Sequence, residues 1–265
     1  MDVLVIGDAH AKPDFNNTRF DLLGAFIIDR KPDVVLSIGD FADMPSLSSY
    51  DKGKKSFEGR RYKKDIESAI DAQIRMFTPL IAYNQQRRTN KQKQYLPRTI
   101  MVTGNHDYAR INRVTEMQPE LDGAISTKDL QYDKYWNEVY KFLDVAEVNG
   151  VYFSHYFTSG VLGRPTGGEH PCYSMLTKHH VSCVSGHSHL RDFCERTDPS
   201  GKRICSVSAG CYLDEDQHED YAGPANKMWW KGLVMLNNVD DGYFDPEFIH
   251  IKYLKERYKS QCLQH

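Results

Sequence analysis

The chain of 265 residues carries a formal net charge of -2 at pH 7, and 40% of its residues are hydrophobic. That length suffices for one sizeable α/β core or two small ones, and the balance by itself argues for neither nucleic acid nor a membrane surface as partner. No stretch approaches the ~20 apolar residues of a transmembrane helix. The start, Met1-Asp2 ahead of a brief apolar run, lacks the positive-then-greasy profile of a secretory leader, so the expected location is cytoplasmic.

Residues 2–7 read as a buried strand stopped by a glycine, 20–28 as a helix with Phe20, Leu23 and Ile27 at helical spacing, and 33–38 as a second buried strand. Strand, helix, strand with short links predicts parallel pairing through a crossover. Residues 44–97 interrupt this alternation as a basic helical insert in what reads as a single domain over 1–265. From Tyr62, the positions Ile66, Ala69, Ile70, Ile74, Phe77 and Ile81 mark one face of a long helix, followed by a polar, basic loop at 87–94. Between 51 and 100 there are thirteen Lys and Arg against five Asp and Glu, about +8, which leaves about -10 for the remainder. A solvated helix face accounts for this, as does a basic flap that draws an anionic substrate toward a site.

Residues 98–102 form the next expected strand, and 107–142 a helical, loop-rich stretch. Residues 151–154, 181–185 and 204–209 read as three further strands, with 232–237 and 248–253 completing a second sheet. The loops 156–172 and 211–231 bear glycines and aromatics, and 163–168 could form part of a site wall. Six cysteines, at 172, 183, 194, 205, 211 and 262, include no Cys-x-x-Cys pair, which disfavours a structural zinc knuckle and fits reduced thiols.

Five apolar strands end in groups able to bind metal: Asp8-Ala9-His10, Gly39-Asp40, Gly104-Asn105-His106-Asp107, His155, and Gly186-His187-Ser188-His189. In an extended strand, residues two apart face the same way, so Asp8 and His10 can serve one ion and His187 and His189 can aim together. Each has a plainer reading as a cap, a turn residue or a core histidine; their joint occurrence does not. Carboxylate, imidazole and amide donors without thiolate suit Mn, Fe, Co, Ni or Zn. Seven ligands, namely Asp8, His10, Asp40, Asn105, His155, His187 and His189, exceed one tetrahedral ion and suit two divalent cations sharing a carboxylate. Paired ions about 3.5–4 Å apart stabilise the attacking and leaving oxygens of an in-line displacement. The other histidines (His170, His179, His180, His218, His250 and His265) lack such a setting and are assigned surface roles.

This ordered series resembles the calcineurin-like metallophosphoesterase superfamily, at the level of motifs over about 1–190, and the stretch 45–62 looks like that of phage-encoded members. The resemblance implies an α/β/β/α sandwich of two mixed β-sheets flanked by helices. It implies that Asp8, His10 and His189 hold one metal and Asn105, His155 and His187 the other, with Asp40 bridging and Mn²⁺ the first choice. A bridging hydroxide would attack phosphorus, Asn105 and His106 would touch the phosphate, and His106, oriented by Asp107, would protonate the leaving alkoxide. Tyr156 replaces the glycine that often follows the fourth-motif histidine. Gly39-Asp40-Phe41-Ala42-Asp43 and Asp107 depart from the protein Ser/Thr phosphatase pattern and disfavour a phosphoprotein. The seven-ligand set together with the basic block at 51–100 makes nucleic acid or nucleotide esters the expected substrates, and a nucleotide monoesterase would take Tyr156, Phe157 or Tyr212 as candidate base contacts. The alternatives are a catalytically idle, metal-containing nucleic-acid-binding module, and a mononuclear zinc hydrolase using Asp8, His10 and His189 alone.

Overall fold

The computed structural model describes residues 1–260, so Cys262 and His265 lie outside the described residues. The chain runs β1 (Val3–Ile6), α1 (Thr18–Arg30), β2 (Val34–Ser37), α2 (Tyr62–Thr89), β3 (Arg98–Val102), α3 (Arg110–Met117), α4 (Tyr132–Tyr135), β4 (Glu138–Tyr140), β5 (Ala146–Val148) and β6 (Val151–Phe153). It continues through the hairpin β7 (Thr158–Ser159) and β8 (Arg164–Pro165), then α5 (Pro171–His179), β9 (Ser182–Ser185), β10 (Arg191–Thr197), β11 (Arg203–Ala209), β12 (Gly232–Asp240), β13 (Tyr243–His250) and α6 (Ile251–Tyr258). Among the described residues, no helix is long and apolar enough to cross a membrane.

Two mixed sheets carry the architecture, in the orders β13-β12-β1-β2-β3-β4 and β10-β11-β9-β6-β5. Strands β1 to β4 pair in parallel, as the strand–helix–strand alternation predicts, and β12 joins β1 antiparallel. Alternation along each buried strand then assigns the layers. Val3, Val5, Leu36, Ile100 and Val102 meet Phe153, Val184 and Val207 in the core between the sheets. Their neighbours Leu4, Ile6, Val35 and Met101 turn the other way, onto Leu23, Phe26, Met76 and Leu254 of the helical layer. On the far side of the second sheet, Cys183 packs under Cys172 and Met175 of α5. The result is the α/β/β/α sandwich of two mixed sheets that the motif series implied.

Two expectations need correction. Residues 232–237 and 248–253 do not complete the second sheet: β12 and β13 extend the first, in register Val3↔Leu236 and Val234↔Phe248, and the chain turns helical from Ile251. Alternation reveals which faces of a strand are buried but not which neighbour it pairs with. The turn is capped locally, since His250 Nδ1 accepts from the Lys252 amide at 3.1 Å. Within the 44–97 insert, α2 extends to Thr89, and its buried side is Asp65, Ala69, Ala72, Gln73, Met76 and Phe77, with Ile74 and Ile81 left exposed. The small residues of that stripe allow close packing on α1, a choice that helix–helix geometry makes and hydropathy alone does not.

Candidate metal centre

The parallel strands β1, β2 and β3 of one sheet and β6 and β9 of the other release their chains at one edge of the sandwich, where open α/β sheets form their sites. Asp8 and His10 follow β1, Asp40 follows β2, Asn105 and His106 follow β3, His155 follows β6, and His187 and His189 follow β9. Four of these residues sit in left-handed backbone: His10 (φ 43°), Asp40 (φ 48°), His187 (φ 64°) and His189 (φ 58°). Such a conformation costs of order 1 kcal/mol or more per non-glycine residue and gathers at functional turns. Asp8 and His10 join one cluster as the alternation predicts, whereas it fails for the second pair. His187 and His189 part company, one joining Asp40 and His155, the other Asp8 and His10.

Three clusters of donors result, each with its ligand atoms within 4.8 Å of one another: Asp8, His10 and His189; His10, Asp40 and His106; and Asp40, His155 and His187. They form a chain, since His10 and Asp40 each belong to two. His189 Nε2 lies 3.0 Å from Asp8 Oδ2 and 3.2 Å from His10 Nε2. His155 Nε2 lies 3.0 Å from Asn105 Oδ1 and 3.3 Å from Asp40 Oδ2. Asp8, His10, Asp40 and His155 are at most 1% exposed.

Glycines permit this crowding. A Cβ on Gly104 would collide with the Asp40 carboxylate and its backbone amide, and one on Gly186 with the Asp8 carboxylate. The same turn lets the His187 amide donate to both Asp8 oxygens at 3.0 Å, while the His106 amide donates to Asp40 Oδ1 at 2.7 Å.

The donor set fits divalent cations by its hydrogen bonding and its charge. His10 donates Nδ1–H to Asp43 Oδ1 at 3.1 Å, and His155 donates Nδ1–H to the Ile38 carbonyl at 3.0 Å, so that each turns Nε2 inward. Metal-binding imidazoles are held in this way, by a partner on the other ring nitrogen. Burial raises the Asp40 carboxyl, but His155 and His106 outweigh it and hold the group well below the usual carboxylate range. Burial lowers His155, but Asp40 and Asp8 outweigh it and lift its pKa to about 9. Two dehydrated carboxylates therefore draw positive charge to this spot, and a cation satisfies that demand as well as a proton does.

Asp107 does not orient His106, contrary to expectation. Its carboxylate turns away and accepts from the Gly104 amide (2.6 Å), the Phe41 amide (3.0 Å) and the Tyr132 hydroxyl (2.9 Å), tying the β2 and β3 turns together. Adjacent residues in a helical turn point about 100° apart, so a neighbour in sequence is badly placed to reach the ring. Burial and the nearby Asp40 raise Asp107 to about 6.

The orienting carboxylate is Asp43, 4% exposed, which receives His106 Nδ1–H at 2.7 Å. Asp43 also lies 3.9 Å from Lys12 Nζ, itself paired with Glu219 at 2.7 Å. Arg110 donates to the Asp43 carbonyl at 2.7 Å and aims a second nitrogen at His106 Nε2, 3.1 Å away. The sequence offers one clue to Asp43, a second carboxylate three residues beyond Asp40 in the same loop. Arg110, Lys12 and Glu219 carry no signal of their own. Arg19, buried within α1, anchors the site from behind by donating to the Ala9 carbonyl (2.7 Å) and the Tyr212 carbonyl (3.1 Å).

Of the three aromatics proposed as base contacts, Tyr156 alone borders the centre, its ring 4.7 Å from that of His187. Phe157 turns to His179, and Tyr212 is wholly buried against Phe20. Trp229, from the 211–231 loop, takes the place beside His189, with ring centroids 4.1 Å apart.

The chain is similar to the gene 54 proteins of Mycobacterium phage L5 (25% identical, covering 94% of this chain and 93% of that one) and Mycobacterium phage D29 (26%, with the same coverage). Among solved structures it matches Yfce, a phosphoesterase from E. coli, at 12% identity and a TM-score of 0.38, covering 94% of this chain and 100% of that one. The family model described as calcineurin-like phosphoesterase matches residues 1–232, and the chain belongs to that family.

Proposed function

We propose that this centre hydrolyses phosphate esters of nucleic acid or nucleotides with two divalent cations, Mn²⁺ first among them. Asp8, His10 and His189 would hold one, Asn105, His155 and His187 the other, with Asp40 between them. When bound, such ions neutralise phosphoryl charge and activate water for in-line attack. The chain's own residues supply the rest. His106, whose Nδ1 is held by Asp43, keeps Nε2 toward the centre and passes a proton to the leaving oxygen. The Arg110 guanidinium beside that nitrogen offers two further donors to a phosphoryl oxygen. Tyr156 and Trp229 wall the two ends of the centre and restrict water. The five free cysteines of the described residues suit a reducing cytoplasm.

The observation that carries this reading is the linked run of His/Asp clusters with His106 at its middle, inside a chain of this family. It is tested with chelator-stripped protein reloaded with Mn²⁺ and assayed on p-nitrophenyl phosphate, bis(p-nitrophenyl) phosphate, nucleotides and DNA. The reloaded protein should turn over an ester with about two ions per chain, and His106→Ala should lower kcat by about 10²–10⁴-fold. Full activity at one ion per chain would instead support the mononuclear scheme. Activity that survives both Asp40→Ala and His106→Ala would refute the mechanism, and binding of DNA without turnover under any metal would leave only the idle module.

A further inference from the structure

A groove of about 730 Å³ leads away from Asn105 and His106 between α3 and the 47–52 loop, within the size range of ligand clefts. Arg110, Arg113 and Met117 line it from α3, Tyr50 and Lys52 from the loop, and no Asp or Glu is among its lining residues. Arg110 and Arg113 are three apart on one helix, so their guanidinium groups share a face. Arg110 is committed to Asp43 and His106, whereas Arg113 and Lys52 make no ion pair among the described residues. Two unpaired cations facing one groove call for an anion there. The same lining carries apolar surfaces open to solvent, the Tyr50 ring (80% exposed) and the Met117 side chain (68% exposed).

We propose that this groove is the leaving-group side of the site and takes single-stranded nucleic acid. Arg113 and Lys52 would contact the phosphate beyond the scissile one, and Tyr50 would stack on the intervening base. The proposal rests on the phosphoesterase reading above and narrows it to substrates that continue past the cleaved bond. Cations alone would serve any polyanion. A lone exposed ring in the same groove fits a base free of its partner, since every base has a face to stack and a duplex hides those faces. Of the thirteen Lys and Arg between 51 and 100, Lys52 alone lines the groove, and its other two lining cations, Arg110 and Arg113, come from α3.

The test reads binding and turnover separately. Metal-stripped protein should bind a fluorescein-labelled single-stranded DNA 12-mer more tightly than the corresponding duplex. The double variant Arg113→Ala/Lys52→Ala should weaken that binding at least tenfold. It should also reduce the slope of log affinity against log salt by about 0.7, the value for one neutralised single-strand phosphate. Tyr50→Ala should weaken binding about 5- to 150-fold with the slope kept, and Tyr50→Phe should restore it. In Mn²⁺-loaded protein, the double variant should lose at least tenfold more kcat/KM on the 12-mer than on bis(p-nitrophenyl) phosphate. Equal losses on both substrates, an unaltered salt slope, or duplex bound as tightly as single strand would overturn the proposal. Absence of turnover on every ester would count against the phosphoesterase reading, and the binding measurements would still decide the groove.

Discussion

Replacing Asp43 with asparagine tests the assignment of the proton donor most directly. The Asp43 carboxylate accepts from His106 at 2.7 Å and from His10 at 3.1 Å in a nearly dry setting. An amide of the same shape keeps one acceptor oxygen but loses the negative charge that faces the His106 ring. A hydrogen bond to a charged group contributes about 1.5–3 kcal/mol, and each 1.4 kcal/mol is tenfold in rate, so kcat should fall by about 10- to 150-fold. The loss should depend on the leaving group. An alkyl phosphate needs its oxygen protonated as the bond breaks, whereas p-nitrophenolate leaves with little help. The assay is therefore kcat for both esters, at Mn²⁺ concentrations high enough to offset any weakening of His10 as a ligand. The alkyl ester should suffer the larger loss in Asp43→Asn. Equal losses on the two esters, or a leaving-group-dependent loss in Asp107→Asn and none in Asp43→Asn, would refute the reasoning and return the orienting role to Asp107.

Gly104→Ala places a methyl group against the Asp40 carboxylate and backbone, so a Tm drop equivalent to about 1–3 kcal/mol is expected, together with weakened Mn²⁺ binding; a variant with wild-type Tm and wild-type metal affinity would contradict the packing described for that turn. Asp65 in α2 is 1% exposed, and burial, only partly offset by the Ser46 amide at 2.9 Å, raises its carboxyl to about 6. The folded pKa lies above the unfolded value of about 3.9, so the native state binds the extra proton between those values and loses stability as pH rises through that window. Relative to Asp65→Asn, the wild-type protein should lose roughly 2–3 kcal/mol between pH 4 and pH 7 in urea melts; a constant difference across that range would show that Asp65 ionises normally.

Much of this protein is visible in the amino-acid order because its signals are local. A run of branched residues stopped by glycine makes a buried strand wherever it falls, and the donors after Gly7, Gly39, Gly104 and Gly186 mark the strand ends from which a site is built. The layer order follows from the same runs: residues such as Val3 and Leu4, adjacent and both buried, require cover on both faces of the sheet. Partner choice is a different kind of information. That β12 pairs with β1, across more than two hundred residues, depends on which edge is open once the other strands have docked. The division of His187 from His189 depends on left-handed backbone at both, which no alternation rule supplies. Asp43 rather than Asp107 reaches His106 because side-chain direction within a turn, not sequence adjacency, determines what an imidazole can touch. The chain order thus determined which chemistry the molecule carries, and the tertiary structure decided how its groups are paired, because direction and distance exist only after the two sheets have closed over their common core.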